Sequence, residues 1–257
     1  MANNNVFSIT EHGRSEPFDL QVARGLVKYH SEINIFGYQV AVGTNQYAVW
    51  ENVADYVFPT TAQTMNLASD NNADTATILI TGLDANYAVI SESLVLTGTT
   101  AVSTVNSYLR INNMSVSVGS STNPAGNVTL KNSAGTPNTI TYAQINAGVG
   151  ATQMSIYTVP AGYTFYLSRI DASTSLNGNT AAYAKYRNKN VSSAGVTTYR
   201  AQAAFTQTYH IQRVMPLSIN EKTDVQFQLA TSTGTALMGV FAEGYLIANT
   251  NPNVVGV

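Results

Sequence analysis

Apolar and polar residues alternate along most of the chain, and the alternation has the period of a β-strand rather than a helix. Ala76-Thr77-Ile78-Leu79-Ile80-Thr81 reads as a short strand, and Gly82-Leu83-Asp84-Ala85-Asn86 supplies turn chemistry. Tyr87 to Thr97 reads as the returning strand, with Ile90, Leu94 and Leu96 on one face. Glu92 shares that face, so either a bulge intervenes or the carboxylate is paired. Met114, Val116 and Val118 alternate, and Val128 and Leu130 follow after a loop. In the second half Ile156 to Val159 runs into the turn Pro160-Ala161-Gly162. Tyr163, Phe165 and Leu167 alternate next, and Asn177-Gly178-Asn179 reads as a hairpin turn before Ala181 to Asn190. Phe205, Tyr209 and Ile211, then Val225, Phe227 and Leu229, then Leu237 to Ile247 complete the pattern. No window carries helical periodicity for more than about two turns.

The first 60 residues are less regular. Phe18, Leu20 and Val22 alternate and predict one strand; Ile33, Ile35 and Phe36 form a second apolar patch, and Tyr47 to Trp50 a third. Turn signals recur every ~8–12 residues, the spacing of sandwiches and barrels. The expected fold is all-β: an antiparallel, jelly-roll-like β-sandwich in two domains, preceded by an extended segment. Residues 1–60 are expected to be a docking arm, 61–134 a first sandwich and 135–257 a second. The boundary falls where small and turn-forming residues cluster at Ser133 to Pro137.

Composition narrows the function. Only 10% of the 257 residues are charged, against ~25% in an ordinary globular protein, and the net charge is -2. Such a chain has little repulsion to keep copies apart, and it cannot bind phosphate backbones by releasing counterions. Nucleic acid is therefore not an expected partner. Fifteen Tyr suit broad, partly polar contact surfaces, or half-buried strand positions. The absence of Cys removes disulfides, thiolate metal sites and thiol nucleophiles. The start Met1-Ala2-Asn3-Asn4-Asn5 has neither the basic nor the apolar part of a secretion signal. No stretch approaches the ~18 apolar residues of a membrane span. Synthesis in a cytoplasm and no membrane partner are expected.

Motifs for chemistry are scarce. His12, His30 and His210 lack metal-ligand spacing. Gly148-Val149-Gly150 opens like a dinucleotide fingerprint, but Gln153 stands where its third glycine belongs. Asp70 and Asp74 bracket an oxygen-rich loop that reads as a calcium site or as a polar hairpin tip. The chain is expected to be no enzyme and to need no cofactor or metal. Lys185, Arg187 and Lys189 share one strand face, with Arg200 on the next strand. That face reads either as a contact for an acidic surface or as a solvated face whose lysines deter edge-to-edge pairing.

Several phrases, in order, resemble a virion structural protein of tailed bacteriophages that infect aquatic bacteria. They are Glu16-Pro17-Phe18-Asp19-Leu20-Gln21-Val22-Ala23-Arg24-Gly25, Thr104-Val105-Asn106-Ser107-Tyr108-Leu109-Arg110-Ile111, Thr158-Val159-Pro160-Ala161-Gly162-Tyr163-Thr164 and Glu221-Lys222-Thr223-Asp224-Val225. Shorter matches are Gly82-Leu83-Asp84, Ile90-Ser91-Glu92 and Leu96-Thr97-Gly98-Thr99-Thr100. The resemblance implies sandwich or jelly-roll domains and supplies no catalytic residues. The leading expectation is a capsid decoration or cement protein, made in the host cytoplasm and carried in the virion. Its expected partners are copies of itself, as a homo-oligomer, and the major capsid protein. The alternatives are a tail, adaptor or fibre component bound to tail proteins, and a carbohydrate-binding module. Phe18, Leu20, Val22, Phe36 and Trp50 are the candidate anchors, with Lys185, Arg187 and Lys189 as the candidate basic contact.

Overall fold

The computed structural model describes residues 10–11, 14–52, 54–117, 119–120, 122–133, 140–176 and 182–250. His12, Val118, the first nine residues of the expected arm, residues 134–137 of the expected boundary and the turn at 177–179 lie outside them. In chain order the elements are β1 (Thr10–Glu11), β2 (Arg14–Ser15), α1 (Phe18–Ala23), β3 (His30–Val42), β4 (Tyr47–Ala48), β5 (Met65–Ser69) and β6 (Thr77–Leu83). Then come β7 (Val89–Val95), β8 (Val102–Ser103), β9 (Arg110–Val116), β10 (Val128–Asn132), β11 (Thr141–Ile145) and β12 (Ile156–Thr158). The last are β13 (Tyr163–Thr174), β14 (Ala184–Ser192), β15 (Thr197–Phe205), β16 (Thr208–Ile219), β17 (Thr223–Thr231) and β18 (Ala236–Ala248). The fold is all-β and its ladders are antiparallel, as expected.

Eight of these strands pair in nested order. β3 pairs β18, β12 pairs β17, β13 pairs β16 and β14 pairs β15. They form two sheets, one in the order β16-β13-β18-β3 and one in the order β12-β17-β14-β15, with β4 also on β17. One core lies between them, built from Phe165, Leu167, Val240 and Ala242 of the first sheet and Tyr186, Val225, Phe227 and Leu229 of the second. A second core lies between the sheet β11-β10-β5-β8 and the sheet β7-β6-β9. Met65, Leu67, Val128 and Leu130 enter it from one side, Ile78, Ile80, Ile111 and Met114 from the other. Trp50, Tyr56, Met154 and Ile156 close it.

The linear division into 1–60, 61–134 and 135–257 therefore does not hold. β3, expected within a docking arm, is a strand of the first sheet, whereas β11 and Met154 belong to the second core. The second unit is an insertion: the chain leaves the nested set after β3 and β4 and returns at β12. Alternation marks which residues face a core, but not which core they face.

Residues 18–23 form a helix, not the expected strand. Pro17 stands just before it with φ -55, and Gln21 N donates to Pro17 O at 3.1 Å. Gly25, at φ +70, ends it. Gln21 and Val22 are buried together, while Leu20 is exposed. Apolar positions at 18, 20 and 22 have the period of a strand; on the helix that Pro17 begins, Leu20 falls on the face away from Val22 and is exposed. At Glu92 the second option holds. Its carboxylate accepts Val105 N at 2.9 Å and Asn106 N at 3.2 Å, and β6 and β7 pair without a register shift.

Gly37, in β3, lies where the outgoing and returning connections cross. A Cβ there would sit 2.4 Å from Val49 O and 2.5 Å from Ser155 Cβ. A backbone carbonyl cannot swing aside. Gly37→Ala should lower unfolding stability by about 1–3 kcal/mol. Gly43→Ala, with nothing within 4 Å of the added carbon, should be close to neutral in the same urea titration.

Candidate interaction surfaces

The junction between the two units fixes every surface they share. Arg110 opens β9 in the insertion and Asp224 lies at the start of β17. Arg110 Nε donates to Asp224 Oδ1 at 2.8 Å and Nη2 to Oδ2 at 2.9 Å, a two-point pair with both side chains largely buried. Nη1 donates to Pro59 O and Leu109 O, and the guanidinium lies 4.8 Å from the Phe58 ring centre. Thr158 Oγ1 donates to Asp224 Oδ1 at 2.6 Å. Beside the pair, Asn112 Nδ2 donates to Thr158 O and Thr158 N to Asn112 Oδ1.

Two further polar residues tie the outgoing connection to the returning one. Ser155 Oγ accepts Val49 N and donates to Phe227 O, each at 2.7 Å. Glu51 Oε1 accepts Gln153 N, while Oε2 is buried without a hydrogen-bond partner among the described residues. Burial pushes the Glu51 carboxyl up to about 8, against the smaller downward pull of the backbone hydrogen bonds. None of these residues stood out as a candidate in the sequence. The available signal was a charge set among apolar neighbours in a charge-poor chain: Leu109-Arg110-Ile111 and Asp224-Val225.

The candidate anchors separate. Val22 and Trp50 are buried and are not surface contacts. Trp50 is a core residue, edge-on to Tyr56 at 5.1 Å, with its indole N–H donated to Ala54 O at 2.9 Å. Phe18, Leu20 and Phe36 are exposed. Phe18 meets His30 and Tyr245 edge-on, and the Tyr245 hydroxyl donates to Asp19. Phe36 stacks on Tyr38, six residues along β3 from His30 and so about 20 Å from it. Helix α1 and Phe36 are therefore separate features of that strand. Asp19, Leu20, Glu32, Glu243 and Tyr245 line a shallow cleft of about 410 Å³.

Lys185, Arg187 and Lys189 do share one face of β14, opposite the buried Ala184, Tyr186, Asn188 and Asn190. β14 lies between β15 and β17, so these lysines do not guard a sheet edge. Arg187 donates from Nε and Nη2 to Gln228 Oε1 and sits 4.6 Å from the Tyr199 ring centre. Arg200 is exposed on the neighbouring edge strand β15. From residue 172 to residue 220 the sequence holds five cations, Lys185, Arg187, Lys189, Arg200 and Arg213, and no Asp or Glu. The three strands of this stretch carry no acid of their own, although Asp171 of the neighbouring β13 pairs with His210 of β16.

The Asp70–Asp74 loop is closed by its own hydrogen bonds. Asp70 accepts Asn127 N and Nδ2; Asp74 accepts Ser69 Oγ, Ala125 N and Gly126 N. Burial raises the Asp74 carboxyl, but these donors outweigh it and hold it below its ordinary value. The polar hairpin tip is the reading the geometry supports. Among the described residues no three His, Asp or Glu side chains gather as a metal site. His30 Nδ1 lies 3.0 Å from Lys28 O, and His210 pairs with Asp171.

No known family model and no characterised protein matches the sequence. Among solved structures there is weak likeness to infectious bursal disease virus. The Gx strain structure matches at 11% identity and a TM-score of 0.24, covering 86% of this chain and 72% of that one. The crystal structure of its VP2 subviral particle matches at 10% identity and a TM-score of 0.20, covering 90% and 75%. No residue or role is carried over from likeness at that level.

Removing one partner of the buried pair leaves the other uncompensated. Arg110→Ala should cost about 3–5 kcal/mol in chemical denaturation, more than any surface cation. Glu51 holds its proton in the folded protein to about pH 8 but only to about 4.5 when unfolded. Its contribution to stability is therefore full below pH 4.5 and is lost as pH rises towards 8, reaching about 3 kcal/mol at pH 7. Glu51→Gln should flatten the decline of unfolding free energy between those two pH values.

Proposed function

We propose that this protein is a structural component of a bacteriophage particle, a decoration protein that binds the outside of the head. On this reading it holds its place by contacts with copies of itself and with the major capsid protein. It is not an enzyme and uses no cofactor.

The observation that carries the reading is the strand order. Nested pairing of first with last, second with seventh, and so inward, across sheets ordered β16-β13-β18-β3 and β12-β17-β14-β15, supports reading these eight strands as a jelly roll. Viral capsid domains, lectins and cupins share that architecture, so the fold alone does not select among them. The surface favours the first. It is poor in charge and offers exposed apolar side chains at Phe18, Leu20, Phe36, Val214 and Met215. Such a surface suits many weak contacts summed over a lattice. The ordered phrases from Glu16 onward point the same way.

Heads assembled without the protein should take it up from solution, and reconstruction of the particle should place it outside the major capsid protein. Density on tails alone, or no uptake, would overturn the reading.

A further inference from the structure

The sheet β16-β13-β18-β3 has two unlike edges. At one, β16 bulges: Gln212 faces Arg169 and Leu217 faces Leu167, so residues 213 to 216 stand opposite Ser168 alone. The bulge carries Val214, fully exposed at 100%, and Met215 at 82%. Two neighbouring apolar side chains held so far into water are costly unless something covers them. The bulge ends at Pro216, which has no N–H for a further ladder bond.

At the other edge, β3 pairs only with β18 among the described residues. Its free side meets the insertion from Tyr38 onward, where Tyr38 N donates to Gln153 O. Before that point, Ser31 to Phe36 border a cleft of about 510 Å³. Ile33, Asn34, Asn112, Met154 and Ile156 line it, and Glu32 supplies its charge.

The two edges match in charge and in height. Arg213 precedes the knob, and Arg200 lies near Ser218 on the same side. Neither Arg213, whose Nε is buried and whose charge acts on Tyr186 and Tyr209, nor Glu32, whose Oε1 accepts Asn34 Nδ2 at 2.8 Å, makes an ion pair among the described residues. Register carries Gln212 through Arg169 and Glu243 to Asn34, and Leu217 through Leu167 and Gly244 to Ile33. The bulge is therefore level with the part of β3 that borders the cleft. We propose that the Val214–Met215 bulge of one copy seats in the β3-edge cleft of the next, with Arg213 facing Glu32. Because knob and cleft are unlike, the contact is head-to-tail: it forms a ring where the rotation between neighbours closes and a filament where it does not. It rests on the reading that the protein works by packing against its own copies.

The lack of cysteine makes the test direct. Met215→Cys chains mixed with Asn34→Cys chains should form disulfide-linked dimers on oxidation, and neither variant alone should do so. Sedimentation should show the wild type as an oligomer. Met215→Asp, with unchanged circular dichroism, should sediment as a single chain. Glu32→Arg should also dissociate the oligomer, and adding Arg213→Glu to the same chain should restore it. A wild type that sediments as a single chain, or a Met215→Asp variant that still associates, overturns the interface. Loss of the interface with the protein still on heads leaves the decoration role standing. A self-associating protein absent from particles removes that role and keeps the interface.

Discussion

Two apolar cores meet in this molecule across a buried ion pair, and the mutual placement of the units depends on it. Arg110 and Asp224 lie 114 residues apart, one in the insertion and one in the nested strands. Taking both charges out of water is expensive, and their attraction offsets that only when the remaining donors and acceptors are satisfied. Here they are: Pro59 O, Leu109 O and Thr158 Oγ1 complete the set. An apolar junction would tolerate sliding. A two-point pair with fixed donors admits one orientation, so the cleft between β3 and the insertion has a defined shape.

Around that pair the chain tolerates little added volume. Gly37 lets β3 pass against Val49 and Ser155. Gly82 and Gly244 likewise sit where a Cβ would lie 2.2 Å from Arg110 O and 2.1 Å from Tyr166 O. Ser155 then satisfies the backbone at the crossing. Close backbone approach and buried polar groups occur together because a tight crossing excludes the water that would otherwise solvate them. Glu51, neutral at ordinary pH, is a carboxyl of this crossing held out of water with no cation paired to it among the described residues.

The distribution of charge follows from the same topology. β14, β15 and β16 are consecutive in sequence, so the acid-free stretch keeps its five cations on neighbouring strands, with Asp171 of β13 reaching them only at His210. β3 and β18 come from opposite ends of the chain and meet side by side, bringing Glu32 and Glu243 together with Asp19. A molecule with few charges thereby has a directional surface, which favours one relative orientation of neighbours over others.

Much of the strand content was legible from the sequence, because a half-buried strand must alternate. Phe165 and Leu167, Val225 and Phe227, and Ile78 and Ile80 all point where alternation puts them. Low charge, lack of cysteine and the shared face of Lys185, Arg187 and Lys189 were equally plain. Three things needed the tertiary structure. Alternation cannot say which strands pair, so the insertion between β3 and β12 was invisible and residues 1–60 read as an arm. Phe18, Leu20 and Val22 have strand spacing, but a six-residue pattern is too short to outweigh Pro17 and Gly25, which bound a helix there. An apolar residue near a chain end reads alike whether it anchors a partner or fills a core. Only the packing of Tyr56 and Ala54 against Trp50 made it core, and only the bulge at residues 213 to 216 put Val214 and Met215 in water.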